Sequence, residues 1–124
     1  MNVNSYRDLK VWQKAMDLVV TSYELTQHFP QNEIYGLVAQ IHRAAVSVPA
    51  NIAEGYGREH LGDYLHHLSV ANGSLMELET HFLVAARLHY LKEEELTRVL
   101  NQTAEVGRML TGLTNSLKRP RSDT

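Results

Sequence analysis

Residues 61–89 read LGDYLHHLSVANGSLMELETHFLVAARLH. Leu61, Tyr64, Leu68, Ala71, Leu75, Leu78, Phe82 and Ala85 recur at alternating steps of three and four. That rhythm puts all eight on one face of a helix. Asn72-Gly73, which would mark a hairpin between strands, falls in the middle of the stripe. The segment predicts one long amphipathic helix.

The same rhythm extends outward in both directions. Downstream, Leu96, Val99, Thr103, Val106, Leu110, Leu113 and Leu117 follow an acidic start of Glu93, Glu94 and Glu95. Carboxylates there suit the positive end of a helix dipole. Upstream, Ile34, Val38, Ile41, Ala45, Val48 and Ile52 form a stripe interrupted by Pro49 and closed by Gly55 and Gly57. Pro49 removes one backbone hydrogen bond and predicts a kink. At the front, Leu9, Trp12, Met16, Val19 and Tyr23 make the main stripe, and Pro30 ends the segment. Ser5 and Asp8 have the spacing of a capping box. The predicted helices are 5–28, 32–56, 61–89 and 93–117. Short connections make consecutive helices antiparallel neighbours. The fold class is all-α: an up-and-down four-helix bundle over 1–117, followed by a short flexible tail at 118–124.

A chain of 124 residues is one domain. It has no cysteine, which excludes disulfides, thiolate metal sites and cysteine nucleophiles. Mean hydropathy is -0.30, and no apolar run approaches a membrane span. No signal peptide stands at the start, so the expectation is a cytoplasmic protein with no membrane partner. Lys118, Arg119 and Arg121 against Asp123 give the tail +2 of a total of -2, so the body carries -4. That balance does not by itself announce a nucleic-acid-binding body.

The first helix is apolar on more than one face. Val11, Leu18, Val20, Leu25 and Phe29 lie beside its main stripe, and the third helix adds Leu65, Met76 and Leu83. Helices apolar around several faces are usually buried on several faces. The surplus predicts self-association in a closed symmetric ring, with a wide monomer core plus scattered exposed apolar residues as the alternative.

Helix two also carries a polar stripe of Gln40, Arg43, Ser47, Asn51, Glu54 and Arg58. Arg43 and Arg58 are candidates to pair with Glu54, Glu77 or Glu79. Inside a bundle such groups must hydrogen-bond to one another. Ala45, Pro49 and Gly73 are the candidates for close helix approach and for the kink. Together they predict a structural polar network rather than a ligand site, with a solvated outer face as the alternative.

Residues 29–58, FPQNEIYGLVAQIHRAAVSVPANIAEGYGR, with GSLMELE at 73–79 and DLKVWQKAMDL at 8–18, resemble the four-helix-bundle proteins first recognised as products of intervening sequences in bacterial 23S ribosomal RNA genes. The SVPANIAEG core is the most specific part. The resemblance spans nearly the whole chain. It implies a cytosolic bundle assembling as a homo-oligomer, with a homopentamer as the expected form, and it implies no enzyme. More distantly the chain is similar to the accessory proteins of diversity-generating retroelements, which bind nucleic acid through a basic surface. Its acidic body departs from them.

No catalytic constellation emerges. Di-iron bundles need Glu-x-x-His on two helices, and none occurs here. Asp63 with His66 and Glu77 with His81 are single pairs without twins. Gly55-Tyr56-Gly57 follows a helix, not a strand, and its third glycine position is His60, so it is no nucleotide loop. The expectation is no cofactor and no metal. The leading reading is a non-enzymatic self-assembling scaffold or interaction protein. The second reading is an RNA- or DNA-binding accessory protein using Lys118, Arg119 and Arg121, with Arg87, Arg98 and Arg108 scattered on the body.

Overall fold

Four α-helices and two 3-10 turns make up a computed structural model that describes residues 3–120. The helices are α1 (Lys10–Thr26), α2 (Leu37–Tyr56), α3 (Leu61–Arg87) and α4 (Glu93–Lys118), and no strand occurs among the described residues. Each helix packs on the next, and α4 returns to α1, which closes a four-sided bundle. Leu18, Ile41, Val48, Ile52, Leu68, Leu75, Leu78, Phe82, Val99, Val106 and Leu110 fill its axis, fully or almost fully buried.

The stripes of α2, α3 and α4 face this core, except at their first members: Ile34 lies before α2 and is exposed, and Leu61 at the start of α3 is exposed. The stripe expected of the first helix does not. Met16 and Tyr23 are exposed, while Leu9, Trp12 and Val19 are only half-buried. The core face of α1 is instead Val11, Ala15, Leu18, Ser22 and Leu25. Two hydroxyls make this possible. Ser22 donates to the Leu18 carbonyl at 2.8 Å, and Thr26 to the Ser22 carbonyl at 3.0 Å. Hydroxyls satisfied within their own helix enter a core at little cost. Small residues there also let α1 approach its neighbours closely.

The helix ends differ from the expected bounds for local reasons. Ser5 and Asp8 do form a capping box, but it caps a 3-10 turn, Tyr6–Asp8, and α1 starts after Leu9. A second 3-10 turn, Gln31–Glu33, delays α2 until Leu37. Glu33 then caps α2: its Oε1 accepts the Leu37 N–H at 3.1 Å, and its Oε2 accepts the Tyr90 hydroxyl at 2.9 Å. The second bond ties the α1–α2 turn to the α3–α4 turn. It also raises the Tyr90 phenol above its ordinary pKa, with burial as a lesser cause. A Cβ at Gly36 would stand 2.8 Å from Glu33 Oε1, so a side chain there would push the capping carboxylate aside.

α3 stops in a Schellman motif. His89 adopts φ 64°, its N–H donates to the Ala86 carbonyl at 3.0 Å, and the Tyr90 N–H to Ala85 at 2.9 Å. α2 runs without interruption through Pro49, which is buried. None of the described helices is long and apolar enough to cross a membrane.

Candidate interaction site

Two features of the bundle stand out: a polar ladder along the α2–α3 seam and exposed apolar side chains outside the α1–α2 seam.

The ladder uses the polar stripe of α2. Ser47 and Ser74 share a hydroxyl bond at 2.8 Å. The Asn51 amide nitrogen donates to the Ser47 carbonyl at 2.9 Å and to its hydroxyl at 3.0 Å. A carbonyl oxygen only accepts, so the orientation of Asn51 is fixed. Its Oδ1 therefore faces His67 Nδ1 at 3.1 Å, and that ring nitrogen must carry the proton. His67 Nε2 lies 3.5 Å from the Glu54 carboxylate, which also accepts from Arg58 at 2.6 Å. The chain of contacts runs Ser74, Ser47, Asn51, His67, Glu54, Arg58.

Four of the expected network residues are thus joined: Ser47, Asn51, Glu54 and Arg58. Four are not. Gln40 and Arg43 are exposed, with no hydrogen-bond or ion-pair partner among the described residues. Glu77 pairs with His81 on its own helix at 3.3 Å. Glu79 accepts from the Thr103 hydroxyl of α4 at 2.5 Å, in a different seam. His67 and Ser74 are partners that the stripe on α2 alone does not reveal. Their seven-residue spacing on one face of α3 was the available signal.

Close approach is likewise relocated. Ala45 is fully buried, but Gly73 is exposed and a Cβ there would meet nothing within 4 Å. The glycine that the seam requires is Gly55, where a Cβ would stand 2.8 Å from His67 Cβ and 3.1 Å from the Tyr64 ring.

The second feature is the outer side of α1 and α2. The charged residues of α1 turn toward α4: Lys14 reaches Glu105 at 3.8 Å and Glu24 meets Arg98 at 3.5 Å. On the side toward α2 this leaves Met16, Val20 and Tyr23, at helical steps of four and three, all exposed. Ile34, Tyr35 and Val46 extend the patch onto the turn and α2. Val20 is 57% and Tyr35 is 96% exposed. Large apolar side chains are also exposed on α3, at Leu61, Val70, Met76, Leu83 and Val84, and at Leu88 beyond its end.

At the turn end of this face lies a groove of about 580 Å³ lined by Tyr23, Thr26, Gln27, Phe29, Gln31, Ile34, Val38 and His42. The His42 ring stacks on Tyr23 with centroids 3.7 Å apart and planes 10° apart. Its Nε2 lies 2.8 Å from the Thr26 hydroxyl. Burial holds His42 below the ordinary histidine pKa, which favours the neutral ring.

The basic end is formed by Lys10 at the start of α1 and by Lys118 and Arg119 at the end of α4; all three are exposed. Helices α1 and α4 lie together there, where Leu9, Lys10 and Val11 share a shallow cleft with Met109 and Leu113. Arg121 lies outside the described residues.

Residues 7–112 match the family model described as 23S rRNA-intervening sequence protein. The chain belongs to that family. A solved structure of the S23 ribosomal protein family from Bacteroides thetaiotaomicron VPI-5482, described as a protein with unknown function, superposes with a TM-score of 0.79. It is 22% identical, and the match covers 85% of this chain and 95% of that one. At that identity the likeness establishes the shared fold. No curated protein matches the chain. The resemblance carried by SVPANIAEG is therefore membership in the 23S rRNA-intervening sequence family, whose solved relative shares the four-helix bundle and carries no described activity.

Proposed function

We propose that this protein is a non-enzymatic, cytoplasmic, self-assembling scaffold or interaction module whose bundles join as a homo-oligomeric ring. The observation that carries the reading is the α1–α2 face. Met16, Val20, Tyr23, Ile34, Tyr35 and Val46 are exposed together, while the neighbouring charges of α1 are drawn to α4. Burying such a face against another copy gains about 25 cal/mol per Å² of apolar surface removed from water, less the cost of association. A fivefold ring is the form that the family resemblance implies. Light scattering on the purified chain tests the reading: a mass several times 14.1 kDa supports it, and a 14.1 kDa particle at micromolar concentration overturns it.

A second reading, RNA or DNA binding, draws on the basic end. Lys10, Lys118 and Arg119 are exposed where α1 and α4 meet, and a ring would gather several such ends on one rim. Phosphate contacts weaken steeply with salt. Binding to RNA that falls between about 50 and 200 mM salt supports this reading, and no binding at the lower salt removes it.

A further inference from the structure

The two halves of α4 are held differently. Every side-chain tether of the helix lies at or before Glu105. Glu95 Oε1 accepts the Lys92 N–H at 2.9 Å, and Arg98 meets Glu24 at 3.5 Å. Thr103 donates to Glu79 at 2.5 Å, and Glu105 meets Lys14 at 3.8 Å. Beyond Glu105 no side chain of α4 makes a hydrogen bond or ion pair among the described residues. Leu110 is the last buried residue of the helix. After it only Leu113, Thr114 and Leu117 are half-buried, and the other residues are exposed.

Composition changes at the same place. Residues 107–118 read GRMLTGLTNSLK, so Gly107, Thr111, Gly112, Thr114, Asn115 and Ser116 make up half of the segment. Glycine gives up the most backbone freedom on entering a helix, and Thr, Asn and Ser side chains compete for its hydrogen bonds. Neither glycine is needed to admit a neighbour. A Cβ at Gly112 would meet nothing within 4 Å, and one at Gly107 would make ordinary contact with Leu75 Cδ2 at 3.5 Å. Packing does not offset the poor propensity. A groove of about 270 Å³ lies between this segment and α3, lined by Leu65, Leu68, Thr111, Thr114 and Lys118 among others. A cleft of about 200 Å³ lies between Leu113 and the Leu9–Val11 start of α1.

Segments with few buried apolar contacts open at lower free energy than the core. We propose that residues 107–118 form a hinged arm: the last turns of α4 leave the bundle about Gly107 while α1, α2, α3 and the first half of α4 stay folded. Opening uncovers Leu65 and Leu68 on α3 and Leu9 and Val11 on α1. It also carries Lys118 and Arg119 away from Lys10, so the basic end is one surface only while the arm is closed. The inference depends on neither the self-assembly reading nor the nucleic-acid reading.

Amide hydrogen exchange read by mass spectrometry tests it on the wild type, Gly112→Ala and Gly73→Ala. Each alanine adds a methyl to open space on an exposed helix position, so both variants fold. In the wild type, amides of 111–118 should exchange roughly tenfold or more faster than those of 75–85 in α3. Gly112→Ala should slow the arm about fivefold, the factor that matches the glycine–alanine difference in a helix. Gly73→Ala makes the same change in the middle of α3 and should leave the arm's rate unchanged, because a local opening does not unfold α3. Arm exchange as slow as that of α3, or slowed equally by Gly73→Ala, would show that α4 opens only with the whole bundle and would overturn the proposal. An arm that Gly112→Ala does not slow would overturn it as well.

Discussion

The α2–α3 seam and the outer α1–α2 face are built on the same helix to opposite ends. In the seam every polar group of the ladder has a partner, from Ser74 through Asn51 and His67 to Arg58, and Gly55 lets the backbones close. On the outer face Val20, Tyr23 and Val46 are exposed, and His42 Nδ1 has no hydrogen-bond partner among the described residues. One region is packed and hydrogen-bonded within the single chain, and the other leaves apolar side chains exposed. Substitutions in the two regions should therefore behave differently.

The largest effect belongs to the seam. Gly55→Ala adds a Cβ 2.8 Å from His67 Cβ, so α2 and α3 must part. We expect a loss of about 1–3 kcal/mol in chemical denaturation, typical of overpacking. Unchanged stability would show that the seam is loose.

Asn51→Ala should cost a similar or smaller amount, about 1–3 kcal/mol, because it leaves the His67 Nδ1–H without its acceptor inside the seam. Ser47→Ala in the same background should add less than its own single effect, since both belong to one network. Full additivity in a double-mutant cycle would dissolve the ladder into independent contacts.

His42 links the outer face to pH. Its pKa is lowered by burial, so the folded state binds a proton less readily than the unfolded chain. Its contribution to stability is therefore whole above the unfolded histidine value of about 6.5 and declines as pH falls below it. Denaturation midpoints measured from pH 8 to pH 5 should fall less steeply in His42→Gln than in the wild type. Parallel curves would remove His42 from the pH dependence.

The smallest effect on folding should come from the outer face itself. Val20→Ser, at an exposed position, should move monomer stability by no more than about 0.5 kcal/mol. A larger loss would mean that Val20 belongs to the core of the single chain.

The legibility of these regions followed from their physics. The α3 and α4 stripes were readable because Leu, Val and Phe fill most of their core positions, with Ala71, Ala85 and Thr103 keeping the same spacing. The α1 stripe misled because the apolar content of that helix is spread around it. The face that is buried contains Ala15, Ser22 and Thr26, whose hydroxyls satisfy themselves within the helix, and hydrophobicity alone cannot rank such a face above Leu9, Trp12 and Met16. The exposed remainder is the outer α1–α2 face, so the misplaced stripe and that exposed surface share one cause. In the polar ladder, Ser47, Asn51, Glu54 and Arg58 were visible as a stripe, but Gln40 and Arg43 share the same spacing and stay in solvent. Only the position of α3 decides which residues of that stripe find partners, through His67 and Ser74. Gly73 and Gly55 make the same point: both are small and helical, and only Gly55 faces a neighbouring backbone.

Self-assembly through the α1–α2 face is the proposal on which the other functional expectations rest. Sedimentation equilibrium of the wild type beside Val20→Glu tests it most directly, since a carboxylate at that exposed site spares the fold but cannot be buried unpaired in an interface. The account predicts a multi-chain wild type and a folded 14.1 kDa variant. Equal masses for the two proteins would contradict it.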